Sequence, residues 1–64
     1  MQYYVTHVDD EGHQSYLSYD GEFKSYVCDN DTVSPPILSI AMALAERYDG
    51  LVMYRDASGR FVTV

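Results

Sequence analysis

Apolar and polar positions alternate in the first half of the chain, take a helical period in the middle, and alternate again at the end. Residues 2–8 are rich in Tyr, Val and Thr, which suit a pleated surface, and are expected to form a strand. Asp9-Asp10-Glu11-Gly12-His13-Gln14 is polar and contains glycine, so it reads as a loop. Residues 15–19 form a second expected strand. Asp20-Gly21 is a strong hairpin signal, and a type I′ turn is expected there because its two central positions need positive φ. Residues 22–28 return as a third strand, and residues 29–33 connect onward.

Ser34-Pro35-Pro36 reads as a helix start, with Ser34 as cap and proline in the first turn. The period places Ile37, Ile40, Ala41, Leu44 and Tyr48 on one stripe, widened by Leu38 and Ala45. Ser39, Glu46 and Arg47 fall on the outer side. Asp49-Gly50 ends the helix, with Gly50 expected in the left-handed position. Residues 51–55 and 60–64 form a final hairpin around Asp56-Ala57-Ser58-Gly59, read as a type I turn closed by a left-handed glycine. The expected fold is α+β, a single domain over residues 1–64. It has an antiparallel sheet of about five strands in the order βββ-α-ββ, with one helix packed on one face. The other face is expected to be open or covered by a partner.

Composition bounds this picture. At 47% apolar residues the chain has enough to fold, but 64 residues make a thin core. The lone cysteine, Cys28, permits no internal disulfide and points to a reducing cytoplasm. Residues 1–4 carry neither the positive region nor the apolar run of a signal peptide. The longest apolar stretch, residues 40–45, is too short to span a bilayer.

Charge adds a location. The net charge is −6. Residues 1–34 hold Asp9, Asp10, Glu11, Asp20, Glu22, Asp29 and Asp31 against one base, Lys24. Residues 35–64 are neutral, with Glu46, Asp49 and Asp56 balancing Arg47, Arg55 and Arg60. Such a chain is not expected to bind nucleic acid or an anionic membrane directly, because both need basic footprints. It suits a basic protein surface. An up-and-down meander is expected to gather Asp9, Asp10, Glu11, Asp29 and Asp31 near the helix N-terminus, with Asp20 and Glu22 at the opposite end. Turn preference explains why aspartate sits in loops. It does not explain why Lys and Arg are nearly absent from the same half.

Seven tyrosines are the second unusual feature. Tyrosine is a good strand former, and it is also enriched at interfaces. Some of Tyr4, Tyr16, Tyr26 and Tyr54 are expected to reach the open face, with Tyr4 and Tyr26 as candidate contacts. No catalytic set is expected, since no spacing brings His7, His13 and Cys28 into an assembled site. No metal or cofactor is expected either. Residues 9–12 lack the alternating ligands of a calcium loop, and paired His/Cys zinc spacing is missing.

A strongly acidic, cysteine-poor chain of this size, built as a sheet plus one helix, resembles phage-encoded inhibitors of the anti-CRISPR type. The stretch Leu51-Val52-Met53-Tyr54-Arg55-Asp56-Ala57-Ser58-Gly59-Arg60-Phe61-Val62, following a helix, is similar to the terminal hairpins of some of them. The resemblance implies an inhibitor in the cytoplasm of a bacterial host. It would mimic nucleic acid and block DNA binding by a CRISPR effector complex. The alternative is a non-catalytic interaction module or a small homodimer that pairs its tyrosine-bearing faces.

Overall fold

A computed structural model describes residues 1–64. The strands are β1 (Tyr3–Val8), β2 (Gln14–Leu17), β3 (Phe23–Lys24), β4 (Leu51–Arg55) and β5 (Phe61–Thr63), with α1 (Leu38–Tyr48) between β3 and β4. They form one antiparallel sheet in the order β3-β2-β1-β4-β5, with the helix against β1 and β4. The α+β class and the order βββ-α-ββ are as the sequence predicts. No helix is long and apolar enough to cross a membrane.

The central strand divides its partners. Its first part, Tyr3 to Thr6, pairs with β4, and its second part, Thr6 to Val8, pairs with β2. The end of β2 is therefore left without β1 beside it. Residues 31–35 fill that place. Tyr19 N–H donates to the Asp31 carbonyl, Val33 N–H to Leu17, and Tyr3 N–H to Pro35, at 2.9, 2.9 and 3.0 Å. This extended path explains two departures from expectation. The third strand is only two residues long, because the chain leaves the sheet after Lys24 and turns back. The helix starts at Leu38, not after Ser34, because Ser34 and Pro35 each precede a proline and are held extended. Ile37 occupies the cap position and makes no side-chain cap bond.

The helix meets the sheet through small residues. Ala41 and Ala45 are buried, and Leu44 and Tyr48 pack beside them. Ile37 and Ile40, expected on the core stripe, are 53% and 48% exposed. The buried stripe is turned toward Ala45, which lets the helix end lie close to β1. The core beneath it is Val5, Leu17 and Ala45, ringed by Phe23, Val33, Leu44, Tyr48 and Val52.

Gly50 is needed for this close approach and not for a left-handed backbone. The left-handed residue is Asp49, at φ 58°. A Cβ on Gly50 would stand 2.8 Å from both the Thr6 carbonyl oxygen and Val5 Cγ1.

The three hairpin turns share one construction. In each, the fourth residue is a glycine with φ of 84–88° whose N–H donates to the first residue's carbonyl. The first residue's N–H then donates to the carbonyl of the fifth. These are type I turns closed by a glycine bulge. The type I′ turn expected at Asp20-Gly21 is thus corrected. Only Gly21 has positive φ, and the turn spans Ser18 to Gly21.

On the side away from the helix, the register gathers Tyr4, Thr6, Gln14, Tyr16, Met53, Arg55 and Phe61. Tyr4 and Tyr16 both pack on Phe61, with ring centroids 5.3 and 5.1 Å away. The Arg55 guanidinium lies 4.6 Å from the Phe61 centroid. Gln14 Nε2 donates to Met53 Sδ at 2.8 Å. Strands β2 and β5 are three spacings apart, about 14 Å, so Tyr16 and Phe61 lean toward each other over the middle strands. No helix covers this face; its own long side chains do.

Replacing Gly50 with alanine is expected to cost about 1–3 kcal/mol through the forced shift of β1. Replacing Asp49 with glycine is expected to raise stability by about 0.5 kcal/mol, since left-handed strain is relieved and backbone entropy offsets part of the gain. Urea denaturation measures both. Equal and small effects would show that the contact with β1 is not tight.

Candidate partner-docking surface

The acidic residues fall at two ends of the sheet. Asp9, Asp10 and Glu11 occupy the β1–β2 turn, and Asp20 and Glu22 the β2–β3 turn. Asp31 joins the second group, not the first. Its carbonyl accepts the Tyr19 N–H, and its carboxylate lies 2.9 Å from Lys24 Nζ, which also holds Asp20 at 3.0 Å. Asp29 is exposed in the turn in which Asp31 and Thr32 donate their N–H groups to the Cys28 carbonyl. The single patch expected from Asp9, Asp10, Glu11, Asp29 and Asp31 is therefore split. The reason is the return of residues 31–35 along β2, which replaces a full-length third strand. The first turn of the helix carries no acidic residue.

Several of these carboxylates have structural duties. Asp9 Oδ1 accepts N–H bonds from Glu11 and His13 at 2.9 and 2.8 Å. His13 Nδ1 stands 3.4 Å from Asp9 Oδ2 and 3.5 Å from Glu11 Oε2. Asp56 Oδ1 accepts from the Ser58 N–H, the Ser58 hydroxyl and the Arg60 N–H. Asp20 Oδ1 accepts from the Glu22 N–H at 3.0 Å. Lys24, the one base of the acidic half, is engaged by Asp20 and Asp31, leaving that half no unpaired Lys or Arg. Its ammonium is held protonated well above the ordinary lysine range, first by the Asp31 carboxylate and then by Asp20.

The tyrosines separate in the same way. Tyr4, a candidate contact from the sequence, is only 8% exposed and is covered by Phe61, so it offers no docking surface. Tyr16 shares that cluster, and Tyr54 lies on the helix side, opposite Tyr3 in the register. Tyr26 is 52% exposed and lies beyond β3, with its hydroxyl 3.4 Å from the Asp31 carboxylate. Tyr19, which the sequence reading did not single out, is 70% exposed beside Asp20. The sequence pattern places it at the end of the second strand; the Ser18–Gly21 turn carries it outward. The β2–β3 end thus presents Asp20, Glu22, Asp29 and Asp31 with Tyr19 and Tyr26.

No group of three His, Cys, Asp or Glu side chains could hold a metal ion. Cys28 is half-buried at the start of its turn, and its N–H donates to Thr32 Oγ1 at 2.7 Å. No family model, curated protein or solved structure matches the chain.

The turn carboxylates make stability depend on acid. Hydrogen bonds from Ser58 and Arg60 hold the Asp56 carboxyl below its ordinary value of 3.8. The Glu22 N–H and Lys24 do the same for Asp20. A carboxyl depressed in the folded state stabilises the fold above its unfolded value, and that contribution is lost as pH falls through the folded value. Asp56→Ala should therefore lower the melting temperature at neutral pH and lose most of that deficit near pH ~2. Thermal melts at both pH values check this; a deficit unchanged in acid would assign the loss to packing.

Proposed function

We propose that this protein is a stoichiometric inhibitor that docks its acidic end into a basic nucleic-acid channel, with a CRISPR effector complex as the target class. The observation that carries the reading is the placement of the charge. All of the net −6 belongs to residues 1–34, and the one base there is already engaged by two carboxylates. A channel lined with Lys and Arg attracts such a surface from a distance and raises the association rate. Tyr19 and Tyr26, the exposed aromatics beside the carboxylates, supply contact area whose desolvation slows dissociation. Nothing in this mode requires an assembled catalytic group. The acids at the β1–β2 turn, Asp9, Asp10 and Glu11, form a second surface that can follow the same channel.

Glu22 and Asp29 are the acids to change first, because neither makes a side-chain bond that holds the fold. The double variant Glu22→Lys/Asp29→Lys is expected to keep the wild-type circular dichroism. It should weaken competition with DNA for a CRISPR effector by at least about tenfold, or 1.4 kcal/mol. Wild-type competition should itself weaken as salt rises. Full inhibition by the double variant would exclude this end as the working surface, and salt-independent inhibition would exclude electrostatic mimicry.

A further inference from the structure

The two edges of the sheet are not alike. At β3 the edge is two residues long, carries Lys24 and is followed at once by a turn, which are the usual guards against edge pairing. At β5 the edge strand is Phe61-Val62-Thr63 followed by Val64, with no charge and no proline. Its inward bonds are fixed by the register. Val64 N–H donates to Val52, and the Arg60 carbonyl accepts from Asp56. By antiparallel alternation, residues 60, 62 and 64 turn their backbone groups toward β4, while Phe61 and Thr63 turn theirs outward. Beside this edge, on the helix side, an apolar groove of about 250 Å³ lies between Met42, Ala45, Val52 and Val64. Met42 and Val64 are more than half exposed.

From these features we infer that the β5 edge pairs with the β5 edge of a second copy of this chain, across a two-fold axis at Val62. The axis follows from the free backbone groups. Phe61 opposite Thr63 of the other copy, and the reverse, uses every outward N–H and C=O of the strand. Val62 then faces its own copy on the helix side, and Val64 faces Arg60 of the other chain.

Charge selects a second copy as the occupant. Residues 35–64 are neutral, and the acidic ends lie at β2–β3 and β1–β2. A ten-stranded sheet joined at β5 sets the two β1 strands about 24 Å apart and the two β3 strands about 43 Å apart. Both distances exceed the Debye length of about 8 Å at physiological salt, so the like charges of the two copies barely interact. Pairing of two β3 edges would instead bring the acidic ends of the two copies together. This assembly makes a binder with two acidic ends facing outward.

Light scattering across a concentration series is the test. The expected result is a mass approaching twice 7.3 kDa as concentration rises. Thr63→Pro removes an outward N–H and no inward bond, and is expected to give a folded monomer. The register has its own readout. Val64→Lys places a lysine opposite Arg60 of the other copy, and weakens the dimer by about tenfold over two such pairs. Val64→Asp places an opposite charge there and keeps the dimer at least as tight. A 7.3 kDa mass at every concentration would overturn the inference. So would a dimer that survives Thr63→Pro, or equal weakening by Val64→Lys and Val64→Asp. Nuclear magnetic resonance supplies a readout independent of these variants: in the dimer, the Phe61 and Thr63 amides become protected from exchange, and amides that stay open at high concentration would also overturn it.

Discussion

The contact between Gly50 and the backbone of β1 is the constraint on which the rest of the molecule depends. Val5 and Thr6 are fully buried, and Gly50 lies against both. That contact fixes where the helix ends, and so where β4 begins. It also requires the helix to approach on alanine, because a larger residue at 41 or 45 would lift it from the sheet. The left-handed turn needed to leave the helix then falls on Asp49, since the glycine is already committed to the contact. On the opposite edge of β1, β2 pairs only with the second part, Thr6 to Val8. Residues 31–35 must fill the gap, and that path brings Asp31 to Lys24.

The acidic residues divide into those engaged in folding and those left over. Asp9 and Asp56 close turns through the same pair of backbone N–H bonds, two and four residues on. Asp20 and Asp31 hold Lys24. Asp10, Glu22 and Asp29 make no side-chain bond within the chain. Turn preference therefore accounts for part of the charge in residues 1–34, and a docking role is needed only for the remainder. The proposed inhibitor reading rests on that remainder and on the absence of a free compensating base.

Much of this was legible in the chain. Alternation gave five strands and their order, and the helical period gave one helix and its end to within a residue. What was not legible depended on tertiary competition. Ser34-Pro35-Pro36 fits a helix start by local rules, but the Pro35 carbonyl is taken by Tyr3 N–H, thirty-two residues earlier in the chain. Ile37 and Ile40 fit the core stripe by period, yet the contact at Gly50 turns the helix toward its alanines. Asp20-Gly21 fits a two-residue turn, but Ser18-Tyr19-Asp20-Gly21 repeats the spacing of Asp9-Asp10-Glu11-Gly12 and Asp56-Ala57-Ser58-Gly59. That shared four-residue interval to glycine was the available clue. The split of the acidic patch follows from the short third strand, which no local pattern announced.

The tyrosines lead to a narrower view of what the molecule offers a partner. Only eight residues are buried, so a single helix does not give this chain a deep core. The sheet's second face is instead closed by Tyr4, Tyr16, Phe61 and the Arg55 guanidinium, which act as a layer without secondary structure of their own. Tyrosine suits that position because its ring buries apolar area while its hydroxyl stays solvated. A high tyrosine count is then partly a folding requirement of a small two-faced sheet. The tyrosines released from it are Tyr19 and Tyr26, and both stand at the end where carboxylates enclose the only lysine. Aromatic area and uncompensated negative charge thus coincide at one place, the β2–β3 end, and that coincidence marks it over the β1–β2 turn as the surface to test first.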